Sequence, residues 1–187
     1  PSSALAWVEG FAHANDHLDP DRRDITDFAA GRLATQRALE MAKLSLADMS
    51  LAEVHDCFTI AELIVYEMLG LTEPGQGRRA IEEGWTARDG RLPVNVSGGL
   101  KAKGHPVGAT GVSQHVIGAL QLAGRAGDMQ LPDAHHALVH NMGGLAVANH
   151  VTVLAGSRPG GSKALGPTRR CGTIDTVKAF VAEAENL

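Results

Sequence analysis

The sequence predicts an α/β domain built in layers, with a mixed five-stranded sheet covered by helices. Two observations carry that prediction. Short β-favouring runs alternate with single stretches of helical periodicity, in the order β-α-β-α-β-α-β-β. A composition of 44% apolar residues in 187 suits one ordinary domain with a real core.

Each element rests on its own signals. Leu5, Trp7, Val8, Phe11 and Ala12 form a partly alternating strand closed by Asn15-Asp16. Phe28, Leu33, Ala34, Ala38, Leu39, Met41 and Ala42 recur at helical spacing, with Asp27 as the expected N-cap. Leu51 to His55 reads as a second strand. Thr59-Ile-Ala-Glu62 then has the form of a capping box opening a helix through Leu69, which Gly70 stops. Glu73 to Gly90 is polar and glycine-rich, and reads as a long surface loop. Val94 to Val96 resumes an extended segment. A helix of small residues runs from Gly108 to about Leu122, and Ala137 to Val139 and Ala146 to Leu154 close the sheet. The domain is expected over 1–155. Residues 156–187 begin with the linker-like Gly156-Ser-Arg-Pro-Gly-Gly-Ser-Lys163. They end in a short helix whose stripe is Ile174, Val177, Phe180, Val181 and Ala184.

Charge and composition exclude several classes of function. The 17 basic residues are scattered against 21 acidic ones, without the clustered Lys/Arg face a nucleic acid needs. No run approaches the roughly 18 apolar residues of a membrane span, and the start lacks a signal-peptide pattern, so a cytoplasmic setting is expected. Cys57 and Cys171 are too few for a disulfide framework. The opening without Met raises the expectation of a longer parent protein.

Three residues suit chemistry. Cys57 sits two residues ahead of the expected N-cap Thr59, where helix N–H groups are placed to stabilise a thiolate. His55, two residues earlier on a strand end, faces the same side. His105 lies between Gly104 and Pro106 just before a glycine-rich helix start. The proline keeps it on the loop, and the glycines admit close approach by a ligand. That setting suits a general base. The glycines fit neither rival pattern: Lys103 is followed by Gly104-His105 rather than Ser or Thr, and Gly-x-Gly-x-x-Gly does not occur. His135-His136, His115 and His150 are not spaced as a ligand set, and no metal is expected. His13 and His17 flank a polar loop without evident chemistry.

Gly104-His-Pro-Val-Gly-Ala-Thr-Gly111, preceded by Asn95-Val-Ser-Gly-Gly99, resembles the signature around the catalytic histidine of thiolases. His55-Asp-Cys-Phe58 resembles the variant found in sterol-carrier-protein thiolases, where common thiolases carry Asn-Glu-Ala-Phe. The resemblance covers about residues 5 to 155. It implies the C-terminal half of an acyl-CoA acetyltransferase, with the nucleophilic cysteine in an N-terminal half. His105 would activate that nucleophile, and His55 would join His105 in the first oxyanion hole. The family's Cys-x-Gly motif is matched here by His140-Asn-Met-Gly-Gly144, which has no thiol, so Cys57 would take over proton transfer at the substrate α-carbon. Backbone N–H groups of Met142, Gly143 and Gly144 would build the second oxyanion hole. Coenzyme A would be substrate and product, with no tightly bound cofactor. The half-thiolase would associate with its N-terminal half or with another copy as a homo-oligomer. A retro-aldol lyase working with a partner subunit, or a non-catalytic acyl-CoA or lipid-binding module, are the alternatives.

Overall fold

The computed structural model of the chain describes residues 6–156. Leu5, the expected terminal helix and all but the first residue of the expected linker lie outside the described residues. The chain runs β1 (Trp7–Asn15), α1 (Ala29–Ala42), β2 (Leu51–Val54), α2 (Thr59–Met68), α3 (Gly77–Glu82), α4 (Gly99–Lys103), α5 (Thr110–Leu122), β3 (His136–Gly143) and β4 (Ala148–Ala155). The strands lie in the order β1-β4-β3-β2. β4 is antiparallel to both its neighbours, and β2 is parallel to β3, so the sheet is mixed as expected.

Among the described residues the sheet has four strands, not five. The segment around Val94 makes one isolated parallel bridge to Ala52. Ala52 N–H donates to the Pro93 carbonyl and Asn95 N–H donates to the Ala52 carbonyl, each at 2.9 Å. Pro93 has no N–H to extend the ladder on one side. On the other, Asn95 turns into the left-handed region at φ 50°. Its side-chain oxygen then takes the Val54 N–H at 2.8 Å, replacing the backbone partner a longer strand would offer.

Alternation along β3 feeds two cores, one on each face of the sheet. Leu138 and Met142 join Ala34, Ala38, Val151 and Val153 under α1 and α2. Ala137 and Val139 join Leu51, Leu122 and Leu154 on the α5 side. Small residues allow these helices to approach closely. A Cβ on Gly10 of β1 would stand 2.1 Å from the Ala38 carbonyl oxygen of α1, so the strand and helix backbones touch there.

The expected helix caps do not form. The N-cap of α1 is Phe28 and that of α2 is Phe58, neither with a side-chain cap bond. Asp27 instead pairs with Arg32, and Glu62 accepts from the Asn95 amide at 3.2 Å. Both acidic groups have partners elsewhere in the fold in place of a helix end. The stop at Gly70 is as expected, at φ 80°. Within the expected loop from Glu73 to Gly90, α3 forms one short helix.

Glu53, at the centre of β2, is fully buried. Its Oε2 accepts from the Ser97 hydroxyl at 2.8 Å and lies 3.8 Å from the Lys103 ammonium, so it holds both ends of the segment that forms α4. Burial pushes its carboxyl up to about 7 from an ordinary 4.5, outweighing Lys103 and Ser97, which lower it.

Two outcomes follow from this packing. Gly10→Ala should lower unfolding free energy by about 2 kcal/mol or more, because backbone atoms must part to admit the methyl group; denaturant titration reads it. For Glu53, the folded protein holds the proton more tightly than the unfolded chain, so its contribution to stability is present below pH 4.5 and is lost as pH rises towards 7. Stability measured across that window should fall by about 3 kcal/mol relative to Glu53→Gln, which keeps the shape and cannot ionise.

Candidate active site

β2 ends at Val54 and delivers His55, Asp56 and Cys57 into the turn before α2. The second loop comes from α4, which opens through Gly98 and Gly99 and ends at Gly104, all three at positive φ. Asp56 joins the two. Its Oδ1 accepts the Leu100 N–H at 2.8 Å, and a Cβ on Gly99 would stand only 2.2 Å from its Oδ2. Glycine at 99 is therefore required twice, by the left-handed backbone and by the space. The third segment is the end of β3, where His140 to Gly143 lie on the strand.

These three segments bring His55 and His105 together. Their rings meet edge to face, with centroids 4.9 Å apart and planes at 86°. His105 Nδ1 is 2.7 Å from the Thr110 hydroxyl, in the first turn of α5. That hydroxyl has one hydrogen and gives it to the Pro106 carbonyl at 3.1 Å, so it accepts from Nδ1–H. The lone pair of His105 is then on Nε2, the nitrogen available as a base. His55 Nδ1 is 2.7 Å from Asn141 Oδ1. Burial, its largest influence, lowers the affinity of His55 for a proton, and the nearby His105 acts in the same direction.

Cys57 follows His55 on the same turn, but its half-buried side chain packs against the core beside α2. The expected stabilised thiolate is not what the site provides. Burial pushes the Cys57 thiol up, and Asp56 adds to it, while the N–H groups of Phe58 and Cys57 and the Lys101 ammonium oppose it. Desolvation of a partly covered sulfur outweighs the helix start, so Cys57 rests as a thiol.

The candidate oxyanion segment divides. Met142 is buried, whereas Gly143 is exposed at the end of β3 and Gly144 enters a left-handed turn at φ 61° with Leu145 and Ala146. His140 is fully buried, its Nε2 3.1 Å from Asn149 Oδ1, and burial pushes it down to about 4. It is a neutral structural ring. Among the described residues no three His, Cys, Asp or Glu side chains are grouped to hold a metal ion, and no helix is long and apolar enough to cross a membrane.

Asn141, Thr110, Asp56 and Glu53 are the site-forming residues that the sequence reading did not single out. Glu53 had a signal: a charge at the centre of the apolar run Leu51 to Val54 must find a partner or lose its charge. Asn141 and Thr110 had none beyond their place in the two motifs, because only the fold brings them against the imidazoles.

Residues 10–156 match the family model described as thiolase C-terminal domain-like. Among curated proteins, an acetyl-CoA acetyltransferase from Methanothermobacter thermautotrophicus is 51% identical over 124 residues, covering 66% of this chain and 32% of that protein. Sterol carrier protein 2 from Bos taurus is 45% identical over 116 residues, covering 62% of this chain and 21% of that protein. The chain thus spans a third or less of the length of these relatives. Two solved structures share the fold. An Ltp2-ChsH2(DUF35) aldolase has a TM-score of 0.70 at 23% identity, over 80% of this chain and 39% of that one. A monomeric SCP2-thiolase-like protein type 1 from Mycobacterium smegmatis has 0.59 at 22%, over 82% and 30%. Fold, motif and sequence agree, and the chain belongs to the thiolase C-terminal domain-like family.

Proposed function

We propose that this chain supplies the acid/base half of an acyl-CoA acetyltransferase centre, working on acyl-CoA thioesters with a nucleophilic cysteine from an N-terminal half or a partner subunit. The observation that carries the reading is the edge-to-face pair of His55 and His105, each held through Nδ1 by a neighbour from a different segment. Similarity to an acetyl-CoA acetyltransferase supports it.

His105 Nε2 takes the proton of the nucleophile's thiol, and the thiolate attacks the thioester carbon. Coenzyme A leaves as a thiolate, takes that proton back, and the acyl group stays on the nucleophile. In the cleavage direction Cys57, resting as a thiol, gives its proton to the α-carbon as the carbon–carbon bond breaks; in condensation Cys57 first releases its proton to solvent, and its thiolate then removes the α-proton and returns to the thiol. His55 shares the first oxyanion hole with His105, and main-chain N–H groups at Met142, Gly143 and Gly144 form the second. Each such donor is worth roughly 3 kcal/mol in the transition state. Coenzyme A enters and leaves as substrate and product, with no tightly bound cofactor. A carbon–carbon lyase with a partner subunit is the rival reading, favoured by the fold shared with an aldolase.

The experiment is done on the assembly that contains the nucleophile. His105→Ala should lower turnover about a hundredfold or more with the fold intact, since a loop residue and a base are removed together. Cys57→Ser should leave acyl transfer to the nucleophile in place and abolish carbon–carbon bond formation and cleavage. Equal loss of both half-reactions in Cys57→Ser would remove its proposed role. Cleavage with no acyl-enzyme formed by the wild type would favour the lyase.

A further inference from the structure

A neutral imidazole carries one hydrogen, and the partner of one ring nitrogen decides which nitrogen holds it. His55 is buried, and its Nδ1 stands 2.7 Å from Asn141 Oδ1, an oxygen that can only accept. The Nδ2 of Asn141 lies against the first turn of α5, where a Cβ on Gly111 would stand 2.8 Å from it. Asn141 itself is fixed in the sheet, paired with His150 in the β3–β4 register.

We propose that Asn141 is a positioning residue that sets His55 as the Nδ1–H tautomer and leaves Nε2 bare. The place of His55 in the first oxyanion hole, proposed above, needs a hydrogen on Nε2, and the tautomer sets when His55 has one. A neutral His55 offers Nε2 as an acceptor and becomes a donor only when a second proton arrives there. Thr110 places His105 in the same condition through its own Nδ1. The two rings therefore meet as a pair of acceptors, and a single added proton converts one of them into the donor that a developing oxyanion needs. That consequence rests on the acyl-transfer reading above. The tautomer assignment rests on the geometry alone.

The test uses the 187-residue chain labelled with 15N-histidine and no substrate, so that its result is independent of activity. Long-range 1H–15N correlation spectra show which ring nitrogen carries the hydrogen. His55 is identified by the signals lost in His55→Gln. His55 should show its hydrogen on Nδ1 in the wild type. In Asn141→Ala the hydrogen should shift from Nδ1 to Nε2, with the signals of His17 and His136, away from the site, unmoved as the mark of an intact fold. Asn141→Asp, which keeps an accepting oxygen, should retain Nδ1–H and move the His55 titration to higher pH. A wild-type His55 with its hydrogen on Nε2 would overturn the proposal. So would an Asn141→Ala chain, folded by the same signals, in which Nδ1–H persists. If Asn141→Ala does not fold, the wild type and Asn141→Asp decide between the same two answers.

Discussion

Asp56 lies buried between two loops that are more than forty residues apart in the chain, with Oδ1 on the Leu100 N–H and Oδ2 against Gly99. A hydrogen bond to a buried carboxyl group is worth about 2 kcal/mol, and here it fixes the distance between His55, one residue before Asp56, and His105, two residues after α4. Glu53 repeats the device three residues earlier, holding Ser97 and Lys103 from the centre of β2. Two carboxyl groups, one within β2 and one just after it, thus grip the loop that carries His105. Without them, a glycine-rich segment with three residues at positive φ would have no reason to keep one conformation.

The residues that make the fold readable are those whose signals are local. The helical spacing of Phe28 to Ala42 and the small-residue run to Leu122 indicate elements close to α1 and α5, although Leu33 and Met41 of that spacing stay exposed. The long motif around His105 points to the family, and the family model covers 10–156. The signals that fail are those decided by competition between alternative partners. Asp27 and Thr59 look like cap residues, but the final packing gives Asp27 to Arg32 and leaves both helix starts to phenylalanines. The extended pattern from Val94 to Val96 promises a fifth strand, and Asn95 breaks it by turning and by capping Val54 with its side chain.

The proximity of two candidate residues was legible in the sequence, and their settings were not. His55 and His105 were expected to work together, and their rings meet. The state of Cys57 departs from expectation, because the sequence shows a helix start and not how much of the sulfur the core covers. Asn141 and Thr110 are invisible for a related reason: their effect lies in which imidazole nitrogen they engage, a choice made by β3 and α5 lying beside the two loops. Sequence names candidate groups of such a site, and the surrounding strands and helices decide which atoms each of them meets.

The central claim is that His55 and His105 form one electrostatic unit. The most direct measurement is the NMR titration of His55 in the wild-type chain and in His105→Gln. A proton on His105 opposes protonation of His55 beside it, so the account predicts that His55 titrates at higher pH once that ring is replaced. A His55 titration that does not move on replacing His105 would show that the two rings do not share a site, and would contradict the account.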